Sequence, residues 1–294
     1  MPQPVPRISL LIPTRNRVDL LRRCVESILA KTTYPDFELL VIDNQSDDGA
    51  AMDYLRRLAT HERVRVLRYD KPFNYSAINN WAARECTGEL LGLVNNDIEV
   101  ISPDWLEEMA GFAVRPDTGV VGAMLYYPDD TIQHAGMLLG IHGVAGHAYA
   151  GMPRGYRGYM ARALVAQEVS AVTGACLLVR REVYAAVGGL DERLPVEFND
   201  VDFCLRVRQR GYRNVWTPFA ELYHHESASR AIDDAAAKQA RSAGIACMLE
   251  RWGEALREDP AYNPNLSLQS LNFELAFPPR GRMSNPQGER TQES

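Results

Sequence analysis

The first hundred residues alternate short apolar runs with stretches of helical spacing. The apolar runs cover residues 8–12, 37–42, 64–68 and 90–94, and helical stretches lie between them. This alternation predicts right-handed crossovers and a mostly parallel sheet with helices on both faces. The second half is less regular, with helices predicted at 103–114, 200–210 and 233–252. We therefore predict one α/β domain with a mixed, mostly parallel central sheet and a C-terminal helical extension.

Composition excludes several classes of protein. A net charge of −6 over 294 residues argues against a protein that coats nucleic acid, which usually has a basic face. Five scattered cysteines predict reduced thiols in a cytoplasmic protein rather than a disulfide framework. The sequence contains no apolar run of 18 residues, so any association with a membrane is predicted to be peripheral.

Polar clusters follow three of the predicted strands, at residues 13–16, 43–49 and 95–97. The carboxyl ends of parallel strands meet at one edge of a sheet, which is where such folds bind ligands. A carboxylate there, such as Asp97, suits a divalent cation bridged to phosphates. The alternative is that Asn95-Asn96-Asp97 forms a simple Asx-turn.

Two later features add candidates for chemistry. Asn199 and Asp200 begin a predicted helix, and either could cap it. A carboxylate at that position could instead act as a general base toward a substrate hydroxyl. His224 and His225 should point to opposite sides of a strand, so at most one faces the cleft. Asp97 with one histidine would make a mixed oxygen and nitrogen site suited to Mn²⁺.

In this order the motifs resemble those of the family 2 glycosyltransferases of the GT-A fold, especially bacterial members that build O-antigen and other surface polysaccharides. The resemblance covers about residues 7–230. It rests on the segments SLLIPTRNR, LLVIDNQSDDG, NYSAINNWAARECTGELLGLVNND, VTGACLLVRREVYAAVGGLDE, FNDVDFCLRVRQRGYR and ELYHHESAS.

The resemblance implies a nucleotide-diphospho-sugar donor, and it assigns residues to the donor by position. Some would line the nucleotide pocket or bond the base or ribose, and others would lie near the diphosphate or the sugar. The donor-binding residues implied in this way are Pro13, Thr14, Arg15, Asp43, Asn79, Asn95, Asn96, Gly174 and Ala175.

The resemblance also implies a metal site and a catalytic base. The family's DxD motif falls on residues 95–97, so that Asp97 and His224 would bind Mn²⁺ or Mg²⁺. Asp200 matches the catalytic base. The chain departs from the family pattern at Asn95 and Asn199, where acidic residues are usual.

Together these assignments predict inverting transfer of a sugar to a hydroxyl of a glycan or lipid-linked saccharide. The predicted organisation is a catalytic domain at 1–230, a helical packing segment at 231–277 and a disordered tail at 278–294, with the protein at the inner membrane face. The glycine-rich stretch 140–158 is interpreted as a lid over the donor. A nucleotidyltransferase and a non-catalytic sugar-nucleotide-binding domain remain alternatives, and the sequence does not determine the oligomeric state.

Overall fold

The computed structural model describes residues 4–225 and 235–280. Its strands are β1 (Ile8–Thr14), β2 (Phe37–Asp43), β3 (Val64–Arg68), β4 (Leu90–Val94), β5 (Ile98–Val100), β6 (Thr118–Tyr126), β7 (Ile132–His134), β8 (Met137–Leu139), β9 (Ala145–His147), β10 (Gln167–Val169), β11 (Cys176–Arg180) and β12 (Arg213–His224). Its α-helices are α1 (Val18–Lys31), α2 (Gly49–Leu58), α3 (Tyr75–Glu85), α4 (Trp105–Ala113), α5 (Arg181–Ala186), α6 (Asn199–Gln209) and α7 (Ala235–Trp252). Short 3₁₀ helices cover Ile141–Gly143 and Tyr159–Leu164.

One large sheet with the order β10-β12-β6-β11-β4-β1-β2-β3 forms the centre of the fold. The pairs that β1, β2, β3 and β4 make with one another are parallel, as predicted. In the second half β11 runs antiparallel to both β4 and β6, so the sheet is mixed there. Because β12 is parallel to β6, the strands β4, β6 and β12 all point the same way. Their carboxyl ends therefore meet at one edge.

The apolar runs at 37–42 and 90–94 form strands, β2 and β4, that are buried on both faces, whereas β3 at the end of the sheet is only partly buried. Every residue of β2 is buried, and alternate residues belong to two different apolar cores. Leu40 and Ile42 face one core, while Leu39 and Val41 face the other, as the two-residue period of a strand requires. Burial on both faces explains why these strands are continuous apolar runs.

The helices that follow β2 and β3 each begin at a residue whose side chain caps the first turn. Asp48 accepts a hydrogen bond from Ala51 N, and Asn74 accepts one from Ala77 N. Caps of this kind stabilise a helix by about 1 kcal/mol. Each helix thus begins just beyond the sheet edge where the polar clusters lie.

Part of the stretch 140–158 does not have the structure expected of a mobile lid. Ile141 and Tyr149 are fully buried, and Tyr149 N donates to Leu271 O. Packing against the C-terminal segment holds this part in place, because Leu256 and Phe273 belong to the same apolar core. This packing contradicts a mobile lid at residues 141–149, whereas residues 151–158 are largely exposed and the lid stays a prediction for them.

Three further expectations concern β12, the termini and the cysteines. The short strand predicted at 214–216 is the start of the longer β12. Most of the predicted tail, from residue 281, lies outside the described residues, as does the start of the helix predicted from residue 233.

All five cysteines are free. Within the described ranges, no helix is both long and apolar enough to cross a membrane.

Candidate active site

The polar clusters after β1 and β4 are joined directly. Thr14 and Asp43 are register partners at the carboxyl ends of β1 and β2. Asn96, beyond the end of β4, donates from Nδ2 to Thr14 Oγ1 at 3.0 Å. Pro13 continues β1 in register with Ile42, so the strand does not stop at the proline as expected. The three predicted clusters therefore form one continuous polar edge.

Asn16 connects the loops that follow β1 and β2. Its Oδ1 accepts from the backbone N–H groups of Asp47 and Asp48, both at 3.0 Å, and its Nδ2 donates to Asp47 Oδ1 at 2.8 Å. Asn16 has a φ of 53°, a left-handed conformation that asparagine tolerates better than most residues. Arg15 lies next to this connection and is exposed to solvent.

Asp43 is buried, and both of its carboxylate oxygens have partners within the protein. Oδ1 accepts from Ser46 N at 3.0 Å, and Oδ2 accepts from Arg68 Nη1 at 2.5 Å. Arg68 also donates to Asp70. A nucleoside that contacts the Asp43 carboxylate would therefore also lie close to Arg68. Arg68 is a half-exposed cation that was not predicted from the sequence.

Residues 95–97 form a turn whose side chains also build a site. Ile98 N donates to Asn95 O at 3.3 Å, which closes the turn. Asp97 is 6% exposed, and its Oδ1 has no hydrogen-bond partner. A buried carboxylate oxygen without a partner is costly, so the turn alone does not explain Asp97.

His224, the last residue of β12, faces Asp97. His224 Nε2 lies 3.1 Å from Asp97 Oδ1 and 3.3 Å from Asn95 Nδ2. The approach to Oδ1 is close, but its direction does not satisfy a hydrogen bond, and we therefore treat Oδ1 as unpartnered. On the other side of the ring, Nδ1 lies 2.6 Å from Gln133 Oε1. Of the two candidate histidines, His224 is thus the one at the polar edge.

The pKa of Asp97 is lowered overall. Burial raises this pKa, the nearby His224 imidazole lowers it, and the lowering contributions together outweigh burial. Backbone N–H groups and His225 add smaller lowering contributions. Asp97 is therefore ionised at neutral pH, which is the form that binds a cation.

His225 and Asp202 point away from the polar edge. His225 Nε2 lies 2.9 Å from Glu99 Oε2, and its Nδ1 lies 3.1 Å from Arg23 Nη1. Asp202 is fully buried and contacts α7 rather than the polar edge.

Asp200 lies in the first turn of α6 and is partly buried. Its Oδ2 accepts from Gly174 N and its Oδ1 from Val201 N, both at 2.8 Å. Phe198 precedes the helix with a φ of 65°, and no side chain caps the first turn in the usual way. The capping alternative for Asn199 is therefore wrong: its Nδ2 donates backwards, to Val196 O at 2.9 Å.

The segment 173–175 connects the Asp200 region to the Asp97 region. Gly174 O accepts from the Tyr75 hydroxyl at 2.8 Å, while Gly174 N donates to Asp200. Ala175 O accepts from Asn95 N at 2.9 Å. A Cβ at Gly174 would meet the Asp200 Cβ at 3.4 Å, an ordinary contact, so tight packing does not require this glycine.

Three contributors were missed by sequence reasoning: Tyr75, Gln133 and His134. His134 belongs to β7, is fully buried, and accepts from Thr173 N at 3.4 Å. Burial and the nearby His147 lower the pKa of His134 well below its ordinary value. No local pattern marks these residues, because their partners lie far away in sequence.

Asn79 is the predicted donor residue that lies deepest. It is fully buried in α3, and its Nδ2 donates to Tyr75 O at 2.9 Å. Its Oδ1 is buried without a hydrogen-bond partner. Asn79 is thus linked to the site through Tyr75 rather than through the exposed edge.

The sequence model of glycosyl transferase family 2 matches residues 9–188. The chain belongs to glycosyl transferase family 2. This match includes β1, the Asn95–Asp97 turn and Gly174, and it ends before Asp200 and His224.

Two curated relatives are named for O-antigen biosynthesis and for rhamnosyl transfer. It is 40% identical to the O-antigen biosynthesis protein RfbC of Myxococcus xanthus over 92% of this chain and 21% of that protein. It is 30% identical to an N-acetylglucosaminyl-diphospho-decaprenol L-rhamnosyltransferase of Mycobacterium tuberculosis over 73% of this chain and 75% of that protein. The chain spans only 21% to 30% of the length of the longer curated relatives it matches.

A solved structure supports the GT-A fold. The mannosyltransferase PcManGT of Pyrobaculum calidifontis, in complex with GDP-Man and Mn²⁺, matches with a TM-score of 0.62 at 20% identity. The match covers 88% of this chain and 66% of that protein. At this identity the likeness shows the fold alone.

Proposed function

We propose that this chain transfers a sugar from a nucleotide-diphospho-sugar to a hydroxyl of a glycan or lipid-linked saccharide, with inversion at the anomeric carbon. The observation that carries the proposal is the buried, unpartnered Oδ1 of Asp97, 3.1 Å from His224 Nε2 at the edge where the strands end. Family membership and the names of the two relatives support the reaction class and a surface-polysaccharide product.

Asp97 and His224 fit a divalent cation, Mn²⁺ or Mg²⁺. A carboxylate oxygen without a hydrogen-bond partner and an imidazole nitrogen face each other, and both are ligands that Mn²⁺ accepts. No group of three His, Cys, Asp or Glu ligands occurs among the described residues. That suits an ion whose remaining ligands are diphosphate oxygens and water. When bound, the ion would supply Lewis-acid stabilisation of the leaving diphosphate.

Asp200 is proposed as the general base. Two backbone N–H groups hold its carboxylate in a fixed orientation. It would accept the proton of the acceptor hydroxyl as that oxygen attacks the anomeric carbon. Gly174 and Ala175 would leave room for the sugar, and Tyr75 would hold their backbone in place through Gly174 O.

The remaining donor contacts are proposed from position along the polar edge. Pro13, Thr14 and Arg15 would line the nucleotide pocket, Asp43 would meet the base or ribose, and Asn79 would support the pocket from α3. Asn95 and Asn96 would lie nearest the diphosphate. We place the reaction at the cytoplasmic face of the membrane, since one relative is named for a decaprenol-linked acceptor.

Replacement of the base tests the mechanism. Asp200→Asn should lower turnover by about 10²–10⁴-fold while donor binding is retained, because only proton transfer is lost. Asp104→Asn is a matched control, since Asp104 is an exposed acid at the start of α4 that makes no capping bond. The assay uses a panel of nucleotide sugars with Mn²⁺, and NMR of the product reports anomeric configuration.

The same assay distinguishes the alternatives. Donor binding without transfer to any acceptor would favour a non-catalytic domain. Formation of a sugar nucleotide from a sugar phosphate would favour a nucleotidyltransferase. Near-wild-type turnover of Asp200→Asn would show that the base lies elsewhere.

A further inference from the structure

Gln133 contacts His224 at two points. Gln133 Oε1 lies 2.6 Å from His224 Nδ1, and Gln133 Nε2 donates to His224 O at 3.4 Å. Gln133 is 2% exposed, so water does not compete for either contact.

The contact between Gln133 Nε2 and His224 O fixes the orientation of the Gln133 amide group. Because the amide nitrogen of Gln133 donates to a carbonyl, its oxygen must be the atom that faces Nδ1. An amide oxygen only accepts hydrogen bonds, so Nδ1 of His224 must carry a hydrogen. The nitrogen whose lone pair can bind a metal is therefore Nε2, which faces Asp97 Oδ1 at 3.1 Å.

We propose that Gln133 is the positioning residue of the metal centre: it fixes the ring orientation and tautomer of His224 so that Nε2 binds the cation. This inference rests on the proposed function of Asp97 and His224. A hydrogen bond to the non-ligating nitrogen of a metal-binding histidine commonly orients the ring and strengthens the ligand. Here a neutral amide fulfils that role without adding charge.

The position of Gln133 on β7 also links the two halves of the site. Consecutive side chains of a strand point to opposite faces. Gln133 contacts His224, while the next residue, His134, accepts from Thr173 N in the segment that holds Asp200. One short strand thus supports both the metal side and the base side.

Three variants test the role of Gln133. Gln133→Met keeps the length of the side chain but removes the acceptor, and Gln133→Glu restores an acceptor. Gln167→Met is the control, because Gln167 is a partly buried glutamine on another three-residue strand, bonded to Arg162 O. All are made in the full chain, and thermal unfolding checks that each folds.

The first readout is NMR of the histidine ring nitrogens in the metal-free protein, at a pH about two units above the ordinary imidazole pKa. Only six histidines contribute, and His224→Asn assigns the signal. In the wild type, Nδ1 of His224 should be protonated and Nε2 unprotonated. Gln133→Met should give a mixture of tautomers, and Gln133→Glu should restore the single form.

The second readout is the affinity for Mn²⁺, titrated alone and with UDP, GDP or dTDP and followed by the electron paramagnetic resonance of free Mn²⁺. Gln133→Met should weaken binding about 10–100-fold, whereas Gln133→Glu and Gln167→Met should stay within a few-fold of wild type.

The outcomes separate this inference from the proposed function. If Gln133→Met keeps the wild-type tautomer of His224 and the wild-type affinity for Mn²⁺, the proposed role of Gln133 is overturned. The proposed metal centre at Asp97 and His224 is unaffected by that result. A wild type that binds no Mn²⁺ with any of the nucleotides would overturn the metal centre, and the role of Gln133 with it.

Discussion

Asp97 and Asp202 are both buried aspartates, but their surroundings are opposite. Asp202 is saturated with donors: Arg206, Arg251 and Trp252 all donate to its oxygens, at 2.8, 2.5 and 3.0 Å. Asp97 faces an imidazole nitrogen and has one oxygen with no hydrogen-bond partner. A carboxylate with all its partners in the protein holds the fold together, whereas one without them is available to a ligand. The number of internal donors, rather than burial, separates the two roles.

The largest expected effect is on stability, at Asp202. Asp202→Ala should lower the free energy of unfolding by about 3–5 kcal/mol, because two arginines lose their buried partner. Urea unfolding of this variant beside Asp104→Asn measures the difference. A loss below 1 kcal/mol would mean that the ion pairs of Asp202 with Arg206 of α6 and Arg251 of α7 contribute no more than surface pairs do.

The next effect is on activity, at Asp97. Asp97→Asn should lower turnover by about 10²–10³-fold, because it removes the charged ligand of the proposed cation. Its unfolding free energy should change little, since no donor in the protein depends on Oδ1. Steady-state kinetics and urea unfolding are measured on the same preparation. A variant that loses stability but keeps its turnover would mean that Asp97 stabilises the fold, as Asp202 does, and is not a ligand-binding residue.

The smallest effect concerns a third buried acid, Glu38. Burial raises its pKa, but hydrogen bonds from Ser9 and Thr87 lower it more, so the pKa is below its ordinary value. The folded state therefore binds the proton more weakly than the unfolded state. The stabilisation from ionised Glu38 is present above the unfolded pKa and is lost as the pH falls through the folded pKa.

In Glu38→Gln the free energy of unfolding should therefore fall less steeply as the pH is lowered. The change in free energy should be smaller than that expected for Asp202→Ala. Urea unfolding at several values of pH between neutral and acid measures the slope. If the free energy of unfolding falls with pH as steeply in Glu38→Gln as in the wild type, the hydrogen bonds to Glu38 do not stabilise the fold as those to Asp202 are expected to do.

Much of the first half was predictable from sequence, because its signals are local. The predicted bounds of β3 and β4 are those of the structure, since periodicity and flanking polar residues fix such elements. The packing of the glycine-rich stretch was not predictable in this way. Its glycines and aromatic residues indicated mobility, but packing against Leu271 and the C-terminal core residues depends on chain more than a hundred residues away.

The sequence by itself determined the alternating α/β pattern, the polar strand ends and the identity of Asp97, Asp200 and His224 as candidates. The tertiary structure placed His224, which the family resemblance had favoured over His225, against Asp97, and only it decided that Asn95–Asp97 is both a turn and part of a site. It also brought in Gln133, Tyr75 and His134, which no motif marked. The physical reason is that a side chain's role depends on which donors and acceptors surround it, and here those partners come from strands that meet only when the sheet forms.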